Sequence, residues 1–435
     1  MYRTHVPILL ASLLVFTPLY AAVIGVSKPA ESITAERIAK LPAKDRAAWT
    51  AYLERSQKQR RIDRATLAAE RTPGTPEPPM PKESFSGRSM PLHRDAAWYG
   101  TPQARHIADV IVSFQTPAGG WSKNLDMSGP ARLRGQSYTP DNLSKHPGPD
   151  DFDAPKDPHW NYIGTLDNDA TNTELHFLEL VSAEAPGKAG DLYRASFLRG
   201  IRYLLAAQFP NGGWPQVWPL EGGYHDAITY NDNAVTESAE VLTAVAEGGP
   251  EYAFVPSSLR RESGVAAHHA LDCILATQIV VDGKLTLWAQ QHDALTLAPV
   301  SGRNFEPAAL ATGESSDILL YLMKLPHPSP AVVASVQAGI TWLKANAIYG
   351  EVWIGGRNTP GGRHLEAQAG AGPIWARYYS ITTGKPIFGD RDKTIHDTVT
   401  DLSLERRNGY AWYGSGPEQA LHAYAAWSAQ LPVLH

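Results

Sequence analysis

Apolar residues recur along most of this chain at the three-and-four spacing of helices that bury one face. Between residues 32 and 71, Ile38, Leu41, Trp49, Tyr52, Leu53, Ile62 and Leu67 form one stripe among Arg, Lys, Glu and Ala, which predicts a charged amphipathic helix. Lys58-Gln59-Arg60-Arg61 falls on its solvated side. Residues 72–81 carry five prolines and read as a stiff extended linker, so a boundary is placed there. Further helical runs cover 107–114, 175–183, 201–207, 234–246, 271–278, 318–323 and 340–346. Strand signals are sparse, at 285–288 and 351–354.

The helical runs repeat. Residues 107–114 lead into Gln115-Thr116-Pro117-Ala118-Gly119-Gly120-Trp121, and 201–207 into Gln208-Phe209-Pro210-Asn211-Gly212-Gly213-Trp214, with Gln, Pro, both Gly and Trp at the same offsets. Looser echoes pair 271–278 with Trp288 and 340–346 with Trp353. Helix pairs that repeat in this way predict a mainly α fold, an irregular α/α toroid (an incomplete α/α barrel) of helical hairpins with short strands in the loops. The alternative is an ordinary helical domain whose Gly-Gly-Trp loops are only tight turns. Gly-Gly allows the positive φ angles of a loop whose backbone comes close to a ligand. Each Trp either stacks on a sugar face or plugs the helix pair below it.

At 435 residues the chain is long enough for more than one unit, and its 12 Trp and 18 Tyr suit either a core or a sugar-lined cleft. A net charge of −5 argues against a sequence-wide nucleic-acid surface. Cys273, the single cysteine, rules out an intrachain disulfide and sits in an apolar run as a packing residue. Arg3 and His5 precede an apolar run over 6–19, and Leu19-Tyr20-Ala21-Ala22 resembles a small-residue cleavage site, so residues 1–22 read as a signal peptide and the protein as secreted or periplasmic. An uncleaved anchor is the alternative, since apolar character resumes at Val23.

Candidate chemistry concentrates where the helices open. Thr165-Leu166-Asp167-Asn168-Asp169-Ala170-Thr171 packs oxygen-bearing side chains at a helix start, with Glu174 one turn on. Thr171 and Glu174 have capping-box spacing, while carboxylate and amide oxygens in one loop also suit a hard divalent cation. Ile228-Thr229-Tyr230-Asn231-Asp232-Asn233-Ala234 is its chemical twin, and two such openings on neighbouring helix pairs can share one cation. His225 and His292 lack paired zinc spacing. Arg303, in Gly302-Arg303-Asn304-Phe305-Glu306-Pro307, either pairs locally with Glu306 or grips a carboxylate. Glu314 to Asp317 reads as a cap. Arg391 lies between two acids in Phe388-Gly389-Asp390-Arg391-Asp392, a salt-bridged turn unless something recruits it.

Taken together, GGWSKN at 119–124, TLDNDAT at 165–171, FPNGGWPQVWP at 209–219, ITYNDNA at 228–234, WAQQHD at 288–293, GRNFEP at 302–307, WARYY at 375–379 and PIFGDRD at 386–392 resemble the pectate lyases of polysaccharide lyase family 10. The resemblance covers most of 95–435. The chain then divides into the signal peptide (1–22) and an N-terminal charged helical segment with its linker (23–88), neither of which the resemblance covers, and a toroid (89–435) that the resemblance implies is catalytic. The resemblance implies Ca²⁺-assisted β-elimination of polygalacturonate to 4,5-unsaturated oligogalacturonides; a monomer is expected, with no nucleic-acid partner and no stable membrane insertion once the signal is cleaved. Carried over by motif, Asp167, Asn168 and Asp232 are the expected metal centre and Arg391 the expected catalytic base. Arg303, Arg377, Lys123, Trp214 and Tyr230 are the expected substrate binders. Lys393 departs from the pattern, since Gly often follows the second Asp of that turn.

The residue types suit the chemistry. Elimination removes the C5 proton, α to the uronate carboxylate, and positive charge around that carboxylate stabilises the developing anion. An arginine base is protonated at ordinary pH, so an alkaline working range is expected. The rival readings are an α/α-toroid glycoside hydrolase with Asp232 and Asp167 as acid and base, and a non-catalytic pectin-binding protein.

Overall fold

The computed structural model describes residues 22–431 apart from 85–88, 145–147, 149, 156, 186 and 357. The expected signal peptide therefore lies, except for Ala22, outside the described residues.

The N-terminal segment holds α1 (Ala35–Ala39) and the long α2 (Ala43–Glu70). After a single turn of helix, α3 (Ala96–Tyr99), the toroid begins with α4 (Pro102–Phe114), started by Pro102 and by Thr101, whose side chain accepts the Ala104 amide. It continues through α5 (Asn172–Glu184), α6 (Gly187–Ala207), α7 (Ala234–Glu247), α8 (Ser257–Thr277), α9 (Thr312–Lys324) and α10 (Pro330–Ala345). A short α11 (Leu404–Gly409) and a final α12 (Pro417–Ser428) follow.

Two layers result. Helices α4, α6, α8 and α10 neighbour one another on the outside, and α5, α7, α9 and α12 do so on the inside. Short turns join α5 to α6, α7 to α8 and α9 to α10, so these pack as hairpins. The long connections run the other way, from each outer helix to the next inner one, and all four leave from the same end.

The glutamine and tryptophan of the repeat make those connections alike. Trp121, Trp214, Trp288 and Trp375 each donate the indole N–H to a carbonyl of the outer helix just left, on Ile111, Leu204, Ile274 and Leu343, at 2.7–2.8 Å. Gln115 and Gln208 each bridge a carbonyl of their own loop to one on the following outer helix. The fourth tryptophan is Trp375, not the expected Trp353, which lies on a β-hairpin (Glu351–Ile354 with His364–Ala367) inserted into the last loop. Of the expected strand at 285–288 only Leu285 is in a strand, Lys284–Leu285, paired with Val280–Val281.

Short antiparallel ladders sew the four loops together. Thr165 bridges to Val217, Ile228–Thr229 pairs with Gln291–His292, and Leu310–Ala311 pairs with Tyr378–Tyr379. The N-terminal segment does not stand apart at the proline-rich stretch. Trp49 and Tyr52 are buried in the same apolar core as the toroid, against Phe209, and the Tyr52 hydroxyl donates to the Ala207 carbonyl at 2.9 Å.

Candidate active site

The two acidic helix openings meet. In each, two successive residues hold left-handed backbone: Asn168 and Asp169 (φ 53° and 59°), then Asp232 and Asn233 (φ 51° and 55°). Asn and Asp tolerate this region best, which accounts for those types at those positions. The turns pair through the Asn168 amide, which donates to the Asp232 carboxylate at 3.1 Å, and through the Asn231 side-chain amide, 3.4 Å from Asp167. The capping box is only half made. Thr171, at φ 66°, spends its hydroxyl on the Thr165 carbonyl and the Trp121 amide, while the Glu174 carboxylate turns back to the Thr171 amide.

Asp167 is buried between two donors. Lys123 Nζ lies 2.5 Å from one carboxylate oxygen and Gln216 Nε2 2.5 Å from the other, with the ammonium also over the Tyr162 ring at 3.3 Å. Burial alone would raise the Asp167 pKa; Lys123, through its charge and its hydrogen bond, together with Asp232 and the Arg303 charge, outweighs it and holds the carboxyl below its usual range. Asp232 moves the opposite way, driven up by burial and then by the neighbouring Asp167 charge. A pair of carboxylates in this state is short of positive charge.

Three cationic side chains face that pair. Lys123, Arg303 and Arg377 line one cavity of about 250 Å³ together with Asp167, Asn168, Asp232, Tyr162, Tyr224 and Tyr410. Arg303 ion-pairs with Glu306 at 2.7 Å and remains 42% exposed toward the cleft; Arg377 pairs with Glu314 at 2.5 Å. Burial would raise the Glu306 carboxyl, but Arg303 pulls it down to about 2. Lys123 and Arg303 also line an adjoining, more open chamber of about 590 Å³ that holds Arg391, Glu405 and Arg406. There Arg391 grips Glu405 with two nitrogens at 2.7 and 3.2 Å, and Arg406 shares the same carboxylate at 3.0 Å.

Seven of the nine expected site residues thus border one two-chambered cleft: Asp167, Asn168, Asp232, Lys123, Arg303, Arg377 and Arg391. Trp214 and Tyr230 do not. Trp214 is fully buried with its indole committed to Leu204, and Tyr230 is buried with its hydroxyl on Thr277. Both serve the core, because the helix pairs beneath the loops need large apolar plugs. The Gly-Gly steps likewise approach protein and not ligand: a Cβ at Gly212 (φ 93°) would stand 2.0 Å from the His269 carbonyl oxygen. Gln216, Tyr162, Tyr224 and Tyr410 were not singled out by the sequence. Only Gln216 lay inside a quoted motif, and the tyrosines carry no local signal.

The donor set fits a hard cation. Asn231 Oδ1 and Gln216 Oε1 are buried without a hydrogen-bond partner while their amide nitrogens face the carboxylates; turning each amide over would point its oxygen at Asp167 and Asp232 and give the all-oxygen donor set that calcium takes. Among the described residues no group of three His, Cys, Asp or Glu side chains is arranged to hold a metal, so amide oxygens would have to complete the shell.

The family model for pectic acid lyase matches residues 115–421. The chain belongs to the pectic acid lyase family. Among solved structures it is similar to the family 10 polysaccharide lyase from Cellvibrio cellulosa, at 27% identity and a TM-score of 0.63, covering 80% of this chain and 99% of that one. It is also similar to an aspartate-to-alanine mutant of that enzyme in complex with trigalacturonic acid, at 28% identity and a TM-score of 0.64, with the same coverage. No curated protein matches it significantly. The protein is a polysaccharide lyase of the pectate lyase class with a mainly α, toroidal fold.

Proposed function

We propose that this lyase cleaves polygalacturonate by calcium-assisted β-elimination, releasing 4,5-unsaturated oligogalacturonides outside the cytoplasm as a monomer. The observation that carries the reading is one cavity in which the buried Asp167 carboxylate and its neighbour Asp232 stand opposite Lys123, Arg303 and Arg377. The solved relative with trigalacturonic acid bound supports the substrate class.

Asp167, Asp232, Asn231 and Gln216 would hold the calcium ion. When bound, calcium withdraws electron density from the substrate carboxylate and makes the neighbouring C5 proton more acidic. Arg377 and Lys123 bind and orient that carboxylate, and their fixed charges stabilise the anion that develops on it. The expected base was Arg391. Position favours Arg303, which faces both chambers and whose charge acts on Asp167, with Arg391 as a carboxylate binder in the outer chamber. Glu306 holds Arg303 protonated at rest, so proton removal requires alkaline conditions.

The test is ultraviolet absorbance of polygalacturonate incubated with the protein, with and without a chelator. Elimination leaves an absorbing double bond and hydrolysis does not, so chain cleavage without absorbance would establish the hydrolase reading. Arg303→Lys should abolish kcat, and Arg391→Lys should mainly raise KM; the reverse pattern would return the base to Arg391.

A further inference from the structure

The family match begins at residue 115, yet an arm far upstream is tied to three separate loops of the cleft. Its strand β1 (Val23–Val26) pairs antiparallel with β3 (Thr394–His396), which in turn pairs with β2 (Phe388–Gly389). Arg391 sits in the turn between β2 and β3. An isolated two-stranded hairpin is marginally stable in water, and a third strand is what makes such a unit hold its shape. The arm supplies that strand, and the Ser27 amide extends the ladder to the Lys393 carbonyl at 2.8 Å.

Further along, the Ile33 amide donates to the Asp226 carboxylate at 3.0 Å, two residues from the cavity-lining Tyr224. Arg37 then ion-pairs with Asp293 at 2.5 Å, two residues beyond the cavity-lining Gln291; both partners are largely buried. Beyond Arg37 the arm runs into α2, itself anchored in the core by Trp49 and Tyr52.

We infer that residues 23–37 are a positioning strap, which fixes the Arg391 hairpin of the outer chamber relative to the inner-cavity loops carrying Tyr224 and Gln291 and so sets the geometry of the two-chambered cleft for a uronate chain. The inference rests on the lyase reading. The strap touches none of the reacting groups; it acts through the loops that carry them. Misplacing a substrate-binding group by about 1 Å can cost roughly a hundredfold in rate, so loosening one side of the chamber should be visible in kinetics.

The experiment is Gly25→Pro with Ser27→Pro in the full chain, which removes ladder donors on β1. Three quantities are read: hydrogen exchange at the Lys393–His396 amides, calorimetric affinity for trigalacturonate, and kcat and KM on polygalacturonate. The expected result is faster exchange with affinity and kcat/KM lowered about tenfold, mostly through KM. Faster exchange with unchanged affinity and kinetics would make the arm a mere staple and overturn the inference. Unchanged exchange would show that β1 does not hold the hairpin, and would overturn it as well. If the proline variant does not fold, Arg37→Ala tests the other attachment: a loss of about threefold restored by Arg37→Lys is expected, and no loss refutes the strap. A wild-type protein that neither binds trigalacturonate nor forms unsaturated product would refute the lyase reading itself.

Discussion

At the scale of single residues, the site is built from conformations that cost free energy. Left-handed backbone at Asn168, Asp169, Asp232 and Asn233 costs about 1–2 kcal/mol per ordinary residue, less for Asn and Asp. Lys393 holds φ 76° in the Arg391 turn, which explains why Gly suits that position and what the departure to Lys costs. Lys393→Gly should therefore raise stability by up to about 1 kcal/mol with kcat unchanged, as read from denaturant midpoints and initial rates. Glu174 is a second costly residue. It is 1% exposed with one carboxylate oxygen unpartnered, and burial pushes its carboxyl from 4.5 up to about 8. Between those values the folded protein keeps a proton that the unfolded chain has lost, so this group's contribution to stability is lost as pH rises through the window. Glu174→Gln should raise Tm by several degrees near about pH 9 and leave it almost unchanged near about pH 4, where both forms are neutral.

At the scale of elements, the repeating loop is a packing device. Its glutamine ties neighbouring outer helices, its glycines let the loop lie against the next helix, and its tryptophan seals the pair beneath. Trp214→Phe should lose the bond to Leu204 and about 1 kcal/mol of stability while leaving trigalacturonate affinity intact; a large drop in affinity would restore the sugar-stacking role. Gly212→Ala should cost at least about 3 kcal/mol, because the added Cβ strikes the His269 carbonyl and the positive φ is strained. Thermal melts of both variants decide these outcomes. Two copies of this element were legible because Gln, Pro, Gly, Gly and Trp kept their offsets. The fourth was misread because an inserted β-hairpin separates Trp375 from its outer helix by more chain than the repeat allows.

At the scale of the whole molecule, four long loops leaving one end of the toroid make the cleft, and the N-terminal segment is fastened across its side. Deleting residues before 89 should remove Trp49 and Tyr52 from the shared core and yield protein that is insoluble or melts far lower, as judged by size exclusion and circular dichroism. A soluble, active 89–435 fragment would show instead that the proline-rich stretch separates independent units. No described helix is long and apolar enough to cross a membrane.

Helix positions, the repeat, the twin acidic openings and the cationic motifs were determined by the sequence alone, because periodicity and turn chemistry are local properties. So was the resemblance that the family match bore out. Which tryptophans face the core, which guanidinium stands beside Asp167, and that Asp153, Tyr162 and Tyr224 form one buried network (2.5–2.8 Å) were decided only by tertiary structure. Those contacts join residues from different loops, and their partners come within reach only when the helical hairpins stack side by side.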